Sequence, residues 1–116
     1  MSVRKLEKSE WRRYFDLLSR VMLIGKRAEI EVMSLDFGVQ IEVEWALLLG
    51  IVYDDRNDVI EIVMDGLDHL IAQPLEIHVD EYAAIPGTFE VVDQSRVRHI
   101  IQLRDPLMLP PLLGPA

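Results

Sequence analysis

The sequence predicts an α+β domain in which one N-terminal amphipathic helix precedes a curled or barrel-like antiparallel sheet of six or seven strands. Three observations carry that expectation. Apolar residues recur at three- and four-residue steps near the N-terminus, where Trp11, Tyr14, Phe15, Leu18 and Met22 fall on one helical face. After Gly25 the hydrophobic period drops to two, the signature of strands with one buried face. Short polar or Pro/Gly stretches then separate the apolar runs, which suits successive hairpins and leaves no room for crossover helices.

Ser9 is placed to cap a helix running from about Glu10 to Leu23, and Gly25 supplies its stop. Arg12, Arg13, Asp16 and Arg20 fall on the polar side of that helix. Glu29 to Val32 and Gln40 to Trp45 alternate polar and apolar and read as half-buried strands. Leu48 to Tyr53 and Val59 to Met64 are almost continuously apolar and flank the polar run Asp54 to Asp58, so they read as central strands joined in a hairpin. Leu75 to Asp80, Phe89 to Val92 and Val97 to Leu103 complete the sheet, with turns at Ile85 to Thr88 and Gln94 to Arg96. Asp65 to Pro74 is expected to form a compact apolar turn against the sheet edge. A helix followed by a small barrel is also the order of Sm-like proteins, an analogy of fold alone. The 116 residues fit one domain over 1–104, followed by a Pro/Leu-rich extended tail over 105–116.

Half of the residues are hydrophobic, which marks a folded chain. Cysteine is absent, so disulfides, thiolate metal sites and cysteine nucleophiles are excluded, and a reducing, cytoplasmic setting is expected. The N-terminus lacks the apolar run of a secretory signal, and the longest apolar stretch is far too short to span a bilayer. Charge is strongly polarised: the formal balance is +5 over residues 1–27, −15 over 28–95 and +2 over 96–116, for a net −8. Such polarity bears on partners and self-association rather than on fold. The acidic excess repels phosphate backbones and disfavours nucleic acid as a partner, so an Sm-like RNA binder using the basic N-terminal segment ranks last.

No motif declares a chemistry. The serines lack a nucleophile-elbow frame, and no glycine-rich phosphate loop is present, so no catalytic residue and no cofactor are assigned and an enzyme is not expected. His78 and Asp80 share a strand face with Glu76, and His69 follows Asp68. A small-molecule or divalent-metal site near Asp68, His69, His78 and Asp80 is the alternative reading. A solvent-facing strand shows the same alternation without chemistry, and His99 reads as a buried or edge histidine of its strand. The strand carboxylates Glu29, Glu31, Glu42, Glu44, Glu76, Asp80 and Glu90 repel one another where they share a face, and are offset by the chain's own cations, by a divalent ion, by a basic partner or by salt. The leading expectation is a non-catalytic interaction module acting as a homodimer, through its acidic sheet face or through tail residues Leu107, Met108 and Leu109.

The residues Glu44-Trp45, Leu48 to Asp54, Gly66 to Ile71 with Pro74, Val79 to Glu81, Glu90 to Asp93 and Leu103 to Leu107 together resemble a bacterial family of short proteins catalogued as a domain of unknown function, number five-three-three-five. The resemblance spans nearly the whole chain, and the Leu-Asp-His-Leu-Ile block is its most specific part. It implies a small soluble bacterial protein and carries over no catalytic residue.

Overall fold

Alternating burial along successive strands builds one eight-stranded sheet in the computed structural model, which describes residues 2–21, 25–82 and 85–105. The elements are β1 (Ser2–Lys5), α1 (Trp11–Val21), β2 (Arg27–Ser34), β3 (Gly38–Asp54), β4 (Val59–Met64), β5 (Leu67–Ala72), β6 (Pro74–Tyr82), β7 (Ile85–Asp93) and β8 (Arg98–Arg104). They pair antiparallel in the order β1-β6-β7-β8-β2-β3-β4-β5. The fold class is therefore α+β, but the sheet has eight strands and is not closed.

The six or seven strands expected from sequence fall short for identifiable reasons. Four-residue β1 is too short and too charged to show alternation, yet it pairs along β6 from Ser2↔Glu81 to Lys5↔His78. The run expected to be a compact turn contains β5, which pairs with β4 from Met64↔Leu67 to Val59↔Ala72. Gly66, at φ 86°, makes the tight reversal between them. The runs Gln40 to Trp45 and Leu48 to Tyr53 are parts of a single 17-residue strand, β3. Ile85 to Thr88, expected as a turn, belongs to β7.

β3 changes partner along its length. Its first part pairs with β2 and its last part with β4. Between them the β2 register slips twice, so that Gln40, Val43 and Ala46 oppose Val32, Ile30 and Ala28 at three-residue rather than two-residue steps. Trp45 takes φ 50° within this bend. The bend turns the β4–β5 end back toward the rest of the sheet and encloses a core of Ile30, Ile51, Ile60, Ile62, Ile71, Ile77, Val79, Phe89 and Ile101.

α1 covers that core. A 3-10 turn, Lys8–Glu10, leads into it, and Glu7 with Glu10 forms a capping box, so the cap lies two residues before the expected Ser9. Trp11, Phe15 and Leu18 are buried, with Trp11 edge-on to Tyr53 at 5.2 Å and Phe15 5.7 Å from Phe89. Ser19 Oγ accepts from Ile51 N–H and donates to Ile51 O, both at 2.9 Å. Ile51 faces Ile62 of β4 on its other side, so α1 satisfies the edge of β3 that β2 does not reach.

Candidate functional site

The outer face of β3–β4–β5 is a small apolar surface with two carboxylates in its middle. Cross-strand pairing aligns Val52, Glu61 and Leu70 in one row and places Val63 beside Asp68 in the next. Val52 is 44% and Leu70 60% exposed. Glu61 and Asp68 are diagonal neighbours, and a hydrogen bond between their carboxyl groups, together with partial desolvation and the Asp68 charge, holds Glu61 above the ordinary carboxylate range. Among the described residues no cation pairs with either. Some other acidic positions do have cations within the chain. Arg4 bridges Glu10 at 3.1 Å and Glu81 at 2.9 Å, Lys5 reaches Glu76 at 3.5 Å, and Arg98 reaches Glu90 at 3.5 Å.

The exposed side of α1 has the opposite character. Arg12, Arg13, Leu17 and Arg20 line a shallow groove with Ser9 and Asp16, and Leu17 is 51% exposed. Arg12 lies 3.4 Å from Asp55 in the β3–β4 turn, whereas Arg13 and Arg20 have no ion-pair partner among the described residues.

A third constellation lies on the inner side of the sheet. Asp93 Oδ1 accepts the backbone N–H groups of Ser95 (2.9 Å) and Val97 (3.1 Å), while its Oδ2 is 3.0 Å from His99 Nε2. A carboxylate can only accept, so His99 Nε2 carries a proton. His99 Nδ1 lies 3.0 Å from His69 Nε2, and one proton between the two nitrogens makes the bond. The ring centres are 5.2 Å apart, hardly more than this gap plus the radius of each ring, so the nitrogens face one another nearly head-on. Chelating nitrogens converge on an ion at a corner angle instead, and this arrangement suits a shared proton. Burial first, and then the neighbouring His99, lower the His69 imidazole to about 4. The bond joins β5 to β8, two strands that share no ladder.

The residues expected from sequence to form a ligand site are dispersed. His69 faces inward opposite Ile62, and Asp68 faces outward beside Val63. His78 lies on β6, far along the sheet order from β5, with its Nε2 3.4 Å from Glu76. Asp80, also on β6, has an Oδ1 without a hydrogen-bond partner among the described residues. Among the described residues no cluster of three or more His, Asp or Glu is arranged to hold a metal ion. Leu107, Met108 and Leu109 lie outside the described residues, as does the end of the expected helix at Leu23. Sequence reasoning missed the chain from His69 through His99 to Asp93; the turn at Gln94 to Arg96 is legible, but the His69–His99 contact joins residues 30 positions apart. No described helix is long and apolar enough to cross a membrane.

A family model described as a family of unknown function, DUF5335, matches residues 2–112. The chain belongs to DUF5335. It is also 39% identical over 111 residues to an uncharacterised protein of Aquifex aeolicus (strain VF5), an alignment covering 95% of this chain and 99% of that relative. No solved structure matches. The Leu-Asp-His-Leu-Ile block that carried the resemblance to DUF5335 corresponds to β5, the strand that holds both Asp68 and His69.

Proposed function

We propose that this DUF5335 member is a non-catalytic cytoplasmic interaction module that works by self-association. The observation that carries the reading is the outer face of β3–β5, where exposed Val52 and Leu70 flank a carboxylate pair that no described cation neutralises. Exposed apolar side chains are costly to leave in water and adjacent like charges repel, and a partner that brings both apolar surface and cations relieves both. The absence of cysteine fits the cytoplasmic setting. Sedimentation velocity over a wide concentration range, at low and high salt, tests the reading. Mass that rises with concentration and falls with salt supports it, and a monomer at every concentration refutes it. Truncation from Leu107 onward, run alongside, measures what the tail contributes.

A further inference from the structure

We propose that the exposed stripe of α1 in one copy docks on the outer face of β3–β4–β5 in a second copy, with Arg13 and Arg20 taking Glu61 and Asp68, and Leu17 covering Val63 and Leu70. This contact rests on the self-association reading above and names its two surfaces. The chemistry is complementary residue for residue. One patch has two carboxylates set among apolar side chains, and the other has one exposed leucine, with Asp16 beside it, between two arginines that have no ion-pair partner among the described residues. Arg13, Leu17 and Arg20 stand at i, i+4 and i+7, so they form a single stripe spanning ~10 Å of helix. The Val52–Glu61–Leu70 row crosses three strands and so spans about the same distance, ~10 Å. Guanidinium groups suit such a site because they present several donors to paired carboxyl oxygens and desolvate more readily than ammonium.

The contact is head-to-tail. α1 packs on the inner side of β3 through Trp11, Leu18 and Ser19, so its exposed stripe and the outer sheet face turn away from the core in opposite directions. Because the two patches face opposite ways, one pair of chains cannot join both at once, and such a heterologous contact closes into a ring or propagates. Association therefore proceeds past a dimer.

The test uses two variants of the full chain. Arg13→Glu/Arg20→Glu makes the helix stripe acidic, and Glu61→Lys/Asp68→Lys makes the sheet face basic. The expected result is that each variant alone self-associates at least about tenfold more weakly than the parent, while an equimolar mixture of the two regains association, because the acidic helix of one now meets the basic sheet of the other. Circular dichroism confirms folding, and Arg20→Gln with Glu61→Gln provides a milder set should a reversal unfold the chain. If the parent associates and neither variant set changes it, or if the mixture stays apart, this contact is overturned while self-association stands. A parent that is monomeric throughout overturns both.

Discussion

The His69–His99–Asp93 chain makes stability depend on pH in a window that carboxylates alone would not produce. In the folded protein His69 titrates at about 4, against 6.5 for an ordinary imidazole. The unfolded chain therefore binds a proton that the folded chain refuses between those values, and stability falls as pH drops through 6.5 toward 4. For a fully buried ring a shift of that size corresponds to ~3 kcal/mol, but His69 is only partly buried and solvent screening reduces the figure to about 1–1.5 kcal/mol. The perturbation is His69→Gln, which keeps a hydrogen-bonding group for His99 Nδ1 and removes the titration. Urea unfolding at a series of pH values between neutrality and pH 4 gives the free-energy difference between parent and variant. The curves should run nearly parallel above pH 7 and converge or cross as pH falls, the parent losing about 1–1.5 kcal/mol more than the variant. Curves that stay parallel down to pH 4 would refute the assignment of His69 as a neutral, partly buried ring hydrogen-bonded to His99.

Other outcomes follow from single contacts. Ser19→Ala strands the N–H and C=O of Ile51 and should cost about 1–2 kcal/mol, measured by thermal or urea unfolding, with faster amide exchange at Ile51 than in the parent; an unchanged exchange rate would show that α1 does not seal that edge. Glu61→Gln removes one of two like charges. Since Glu61 is raised in the folded state, the parent pair is least favourable above its folded value, so the variant should be the more stable at neutral pH and lose that advantage on acidification or with added salt. Phe15→Ala opens a cavity against Phe89 and should cost about 3–5 kcal/mol, enough to lower the midpoint of thermal unfolding by many degrees.

Local pattern made much of the fold legible. The 3.6-residue period placed α1 and its buried Trp11, Phe15 and Leu18, the period of two placed β2, and apolar runs bounded by turn residues placed β4, β6 and β8. The failures share a cause. β1 reads as a charged N-terminus because Arg4 and Lys5 are both exposed and its pairing depends entirely on β6, more than 70 residues away. β5 reads as a turn because only Ile71 of its six residues is fully buried, so half-burial hides its alternation. The double register slip in β3 replaces a period of two by a period of three, which resembles neither a regular strand nor a helix. At the site level, the sequence showed that carboxylates crowd the strands. It could not show which of them find cations, because every such pair is set by register between strands distant in the chain.

Strand order also decides where the charge polarity goes. β1 is the first strand, but it pairs with β6, so Arg4 and Lys5 are carried to Glu81 and Glu76 and neutralise the β6 end of the sheet. β4 and β5 lie at the other end of the order, beyond reach of those cations. Arg12, Arg13 and Arg20 belong to α1, which must turn Trp11, Phe15 and Leu18 inward to close the core, and this fixes Arg13 and Arg20 on the side of the molecule facing away from Glu61 and Asp68. Arg12 reaches only the β3–β4 turn, at Asp55. The packing that stabilises the domain thus keeps these unmatched acidic and basic patches apart within one chain, and leaves their neutralisation to salt or to a contact between chains.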